Sequence, residues 1–98
     1  MTTKFAQHLE TFVTGVMALR ENAGYKGRLE YNPRGQKYLR LMKPENEGGG
    51  VYAFIEIATG DIFKPASWKA RAKHARGNIY DSDNGLSRMT VHGPEYLR

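Results

Sequence analysis

Lys64-Pro65-Ala66-Ser67-Trp68-Lys69-Ala70-Arg71-Ala72-Lys73-His74-Ala75-Arg76-Gly77-Asn78 is the stretch on which the fold of this chain turns. It carries five Lys or Arg residues, the single Trp, one His and no acid. Ser67 is of the type that caps a helix start, and Gly77 is of the type that stops one. The stretch therefore predicts a short basic helix over residues 66–77. Ala70, Ala72 and Ala75 keep such a helix slim, so that it can lie close to a surface. In helical geometry Lys69, Lys73 and Arg76 share one face and Arg71 lies to one side. Cations in a row repel one another unless an anion lies across them. A helix start near Ser67 would add free backbone N–H groups for a phosphate. Trp68 at the helix start can stack on a base or pack on the sheet; as the lone Trp of a small domain it is expected in the core, fastening this helix to the sheet.

The preceding segments have a period of two. Val51 to Ile57 reads as the strongest strand, with Val51, Ala53, Ile55 and Ile57 on one face and Tyr52, Phe54 and Glu56 on the other. Ala58-Thr59-Gly60-Asp61 is a tight hairpin, and Ile62 and Phe63 begin a return strand that Pro65 closes. Gln36 to Lys43 is an earlier strand, Leu39 and Leu41 opposing Tyr38, Arg40 and Met42. Asn32-Pro33-Arg34-Gly35 is a turn sequence, and Arg28 to Tyr31 alternates as a short strand would. Near the start, Phe5, Leu9, Phe12, Val13, Val16 and Met17 recur at steps of three and four. They form the apolar stripe of a helix from Thr3 to Asn22, capped by Thr2 or Thr3, with Gly24 suited to the left-handed position after it. Gly15 inside that helix predicts a close approach to the sheet. The expected class is α+β in one domain. An N-terminal helix (1–24) packs on a three- or four-stranded antiparallel sheet (27–65), followed by the basic helix (66–77) and an irregular tail (78–98).

With 98 residues, the chain has room for one domain and a modest core. Its net charge of +5 is uneven. Residues 26–43 hold six cations against Glu30 alone, and residues 64–76 hold five with no acid, while the other segments are neutral or acidic. Such clustering favours a polyanionic partner. The absence of cysteine excludes disulfides, thiolate metal sites and Cys nucleophiles. No apolar run approaches the ~20 residues needed to span a bilayer. Glu10 and Lys4 break any signal-peptide pattern near the start, so the expected location is the cytoplasm.

On the outward face of the sheet, Tyr38, Arg40, Tyr52, Phe54 and Phe63 would lie side by side. They are either a surface on which unpaired bases stack or a layer of core beneath the tail. Tyr52 to Ile57 is similar to the central strand of RNA-recognition motifs, but lacks the basic-Gly pair before the aromatic and a preceding first strand. The order of elements resembles that of double-stranded RNA-binding domains, a likeness of topology alone. Gly50-Val51-Tyr52 is a partial match to GIY-YIG nucleases whose second half is missing. His74, His92, Asp81 and Asp83 are too scattered for a metal site, and Asp81-Ser82-Asp83-Asn84-Gly85 lacks the closing Glu of a calcium loop. It reads as an Asp/Asn-rich turn. No catalytic residue, cofactor or metal is expected.

Gly60-Asp61-Ile62-Phe63-Lys64-Pro65-Ala66-Ser67-Trp68-Lys69, continued by Ala72-Lys73-His74-Ala75-Arg76-Gly77-Asn78-Ile79-Tyr80-Asp81, resembles a signature of small uncharacterised tailed-phage proteins. Gly85-Leu86 and Tyr96-Leu97 fit the same pattern. The resemblance carries no activity with it and implies a phage product at work in the bacterial cytoplasm. The resulting expectation is a non-catalytic nucleic-acid-binding protein that uses Lys64, Lys69, Arg71, Lys73 and Arg76 with Arg40, Tyr38 and Tyr52, on single or double strands. The alternative is an inhibitor or adapter whose basic face meets an acidic host protein.

Overall fold

The computed structural model describes residues 3–31 and 37–95. The Thr2 cap, the Asn32–Gly35 turn, Gln36 and Tyr96-Leu97 lie outside the described residues. Helix α1 (Thr3–Asn22) is followed by strands β1 (Glu30–Tyr31), β2 (Tyr38–Met42), β3 (Val51–Glu56), β4 (Asp61–Pro65) and β5 (Arg71–Asn78), which pair antiparallel in chain order in one sheet. A small hairpin of β6 (Met89–Thr90) and β7 (Gly93–Pro94) closes the described chain. The class is α+β, with the helix packed on a five-stranded sheet. Among the described residues no helix is long and apolar enough to cross a membrane.

Helix α1 forms where its period dictates. Phe5, Leu9, Phe12, Val13 and Val16 are buried against Leu39, Leu41, Ala53, Ile55, Ile62 and Ile79 of the sheet side. Each such aliphatic or aromatic side chain contributes about 1.5–3 kcal/mol on full burial. Gly24, at φ +96°, terminates the helix in the left-handed region that favours glycine. The stripe continues onto a charge, Arg20, only 1% exposed. Its guanidinium is paired with Glu47 of the 3₁₀ turn Glu45–Glu47, donates from Nη1 to Val91 O at 2.7 Å, and lies 5.2 Å from the Tyr25 ring. Gly15 does mark a close approach, but to the 3₁₀ turn Leu86–Arg88 rather than the sheet. A Cβ there would collide with the Leu86 side chain.

The expected helix over residues 66–77 does not form. Residues 66–70 make a tight loop, in which the N–H groups of Ala66 and Ser67 both reach Ala70 O. Residues 71–78 then run back as β5, with Phe63 opposite Ala75, Ile62 opposite Gly77 and Asp61 opposite Asn78. Local preference loses here to pairing. An alanine-rich helix at this place has no large apolar stripe to bury, whereas β4 without β5 would leave a row of backbone groups unpaired. Ser67 still acts through its hydroxyl, but accepts from Lys69 N–H at 3.3 Å to tighten the loop rather than cap a helix. Asn78 fastens the end of β5. Its Nδ2 donates to Thr59 O and Asp61 Oδ1, each at 2.9 Å, and its Oδ1 accepts from Tyr80 N–H at 2.8 Å. With β5 added, the sheet has five strands rather than three or four. Beyond it the only helix among the described residues is the Leu86–Arg88 turn.

The faces of β3 also depart from strict alternation. Leu41 lies opposite Ala53 and Met42 opposite Val51, so Tyr52 is the extra residue of a β-bulge. Tyr52 therefore joins Ala53 and Ile55 on the helix side, while Val51 and Phe54 cluster with Phe63 on the other. In the tail, Asp81 to Gly85 is the Asp/Asn-rich turn expected. Asp83 accepts from the Gly85 and Ser87 N–H groups, and bonding to Ser87 and Gly85 holds its carboxyl below the usual range.

Candidate nucleic-acid interface

The sheet face turned away from α1 is built from alternate residues of β2, β3 and β4. Arg40 lies opposite Phe54, and Phe54 opposite Phe63. Tyr38 meets Phe63 edge to face, with ring centres 6.1 Å apart. β5 adds Arg71, whose guanidinium lies 4.2 Å from the Phe63 ring centre and 5.4 Å from that of Tyr38. Arg71 Nε donates to Tyr38 Oη at 2.9 Å, and Nη1 donates to the Ala72 and Lys73 carbonyls, each at 3.0 Å. A planar cation on an aromatic face, held by three neutral acceptors, is fixed in place with its charge uncompensated by those partners.

The loop between β4 and β5 forms one wall. Trp68 is 54% exposed, contrary to its expected place in the core. Arg40 lies 5.1 Å from the indole and donates from Nη1 to Trp68 O at 3.3 Å. Trp68 is thus held above the sheet by a cation–π contact. Arg40, Arg71, Tyr38, Phe54, Trp68 and Ala70, with Lys37 and Lys69, line one groove of ≈ 610 Å³. Four cations border it, and among the described residues no acid does. Each cation raises the local potential felt by the others, and a bound anion would relieve that repulsion.

Residues 2–93 match DUF7717, a family of unknown function. The chain belongs to this family. No curated protein and no solved structure matches it.

The groove gathers Tyr38, Arg40, Lys69 and Arg71 of the residues expected to bind, and it leaves out four. Tyr52 is fully buried under the C-terminal hairpin, its hydroxyl donating to Thr90 O at 2.6 Å. Arg76 is 7% exposed, donates from Nε to Glu95 O at 3.1 Å and bonds to the His74 carbonyl. It is the extra residue of a bulge in β5, between the pairs Ile62–Gly77 and Phe63–Ala75. Lys64 reaches Pro94 O at 3.1 Å, and burial together with the Arg76 charge holds its pKa below that of an ordinary lysine. Both cations thus serve the β7 segment. Lys73 is exposed on β5 but does not line the groove. Lys69, Lys73 and Arg76 therefore form no common row. Among the described residues no three His, Asp or Glu side chains come together as a metal site would require.

The sequence reading missed Lys37 and the exposure of Trp68. Lys37 directly precedes Tyr38, and its Nζ lies 5.5 Å from that ring. Its position directly before β2, the strand that carries Arg40, is the available signal. The exposure of Trp68 follows from the loop at residues 66–70, which no local sequence signal marks.

Proposed function

We propose that this chain is a non-catalytic nucleic-acid-binding protein that uses the open face of its sheet. The observation that carries this reading is the groove bordered by Lys37, Arg40, Lys69 and Arg71, with aromatic rings between them and no acid among the described residues of its lining. Cations track a phosphate backbone, and rings accept bases regardless of sequence. Weak sequence preference follows. In the setting implied by the phage-like signature, the protein is a phage product acting in the bacterial cytoplasm.

The test is a titration of labelled oligonucleotides at several salt concentrations. Binding should weaken steeply with salt. The double variant Lys37→Ala, Lys69→Ala should lower the slope of log affinity against log salt by about 0.7 for each single-strand phosphate that is no longer neutralised. Lys4→Ala, on the helix side, should leave it unchanged. Absence of binding at low salt overturns the proposal.

The second reading is an adapter or inhibitor that meets an acidic host protein. The observation in its favour is the outer edge of β5, which among the described residues pairs only with β4 and exposes Lys73 and His74. Salt-sensitive binding to an acidic protein, retained after nuclease treatment and lost on Lys73→Glu, would favour it.

A further inference from the structure

Trp68 borders two hollows. One is the cationic groove. The other, of ≈ 290 Å³, is lined among the described residues by Gly50, Val51, Pro65, Ala66, Ser67 and Trp68, none of them charged. Trp68 is the one residue common to both linings. Arg40 lies over the indole and, among the described residues, lines the cationic groove and not the second hollow, which Trp68 also lines.

An uncharged slot beside an exposed indole, next to a hollow bordered by four cations, matches the two halves of a nucleotide. The flat, weakly polar base suits the first and the phosphate suits the second. A paired base offers neither of its faces, because both are stacked inside the duplex. We infer that the occupant of this site is single-stranded nucleic acid, one unpaired base stacking on Trp68 in the uncharged slot while the adjoining phosphates lie along Arg40, Lys69 and Arg71. This rests on the nucleic-acid reading above and narrows it to one strand form and one stacking residue.

Trp68 is the only tryptophan, so its emission reports on the site directly. The probes are oligothymidylate, an abasic strand of the same length, a duplex of that length and thymidine monophosphate. Oligothymidylate should quench the emission and bind about tenfold or more tightly than the abasic strand, the range of one base–aromatic stack. Duplex should bind without quenching. Trp68→Ala should lose that advantage for oligothymidylate while keeping its affinity for the abasic strand, and Trp68→Phe should fall between the two. The ring is exposed, and thermal unfolding of both variants verifies the fold. If oligothymidylate and the abasic strand bind equally and Trp68→Ala changes neither, the base slot is refuted and the nucleic-acid reading survives. If the monophosphate binds as tightly as the strand, the occupant is a free nucleotide and the inference fails. If none of the polymers binds, the broader reading fails with it.

Discussion

Burial holds the Tyr52 hydroxyl protonated well above the ordinary tyrosine range, and the nearby Arg20 charge offsets part of that shift. A folded pKa raised above the unfolded one contributes stability that is present in full below about pH 10 and lost as pH rises beyond it. Alkaline titration of the six tyrosines by ultraviolet absorbance should therefore show one that ionises only as the protein unfolds. Tyr52→Phe should remove that late fraction. At neutral pH it should cost about 1 kcal/mol, because Thr90 O loses its donor. Strict alternation along β3 placed this ring on the open face beside Phe54. One inserted residue moved it, and nothing in Val51-Tyr52-Ala53-Phe54 marks a bulge. The cations suffered likewise. Arg40 and Arg71 were legible as candidates, but so was Arg76, whose bulge turns it inward.

At the scale of elements, α1, β2, β3 and the hairpin at Gly60 were legible because large apolar side chains mark their period. β5 was not. Its alanines carry no period, and its cations are compatible with either backbone. What determines its form is the free edge of β4, a partner more than a local preference. The strand makes a prediction opposite in sign to the helix. Ala75 is exposed and lies opposite Phe63. Ala75→Thr should raise the urea midpoint, by up to about 0.5 kcal/mol of stability, since β-branched residues suit a pleated surface. In a helix the same change would lower it by a similar amount. The groove depends on this outcome, because the loop that lifts Trp68 exists only if residues 71–78 return as a strand.

At the scale of the molecule, three segments far apart in sequence meet at Arg20: the end of α1, the Glu45–Glu47 turn and the tail at Val91. A charge this deeply buried is tolerated because it is paired. Arg20→Ala leaves Glu47 without its partner and Val91 O without its donor, and it should cost about 3 kcal/mol by chemical denaturation. The double variant Arg20→Met, Glu47→Gln should recover part of that loss. The arrangement also bears on the order in which the chain assembles. Every strand of the main sheet pairs with its neighbour in sequence, so each step closes a short loop at small entropic cost. The contacts from His8 to Ile79 and from Arg20 to Val91 each span 71 residues, and they join helix to tail. Loop-closure entropy therefore predicts that the meander zips before those closures and that the helix is sealed onto it last. Loss of Arg20 should then speed unfolding while leaving the refolding rate nearly unchanged in stopped-flow measurements. On a ribosome, the residues of α1 would be made well before their partners at Ile79 and Val91.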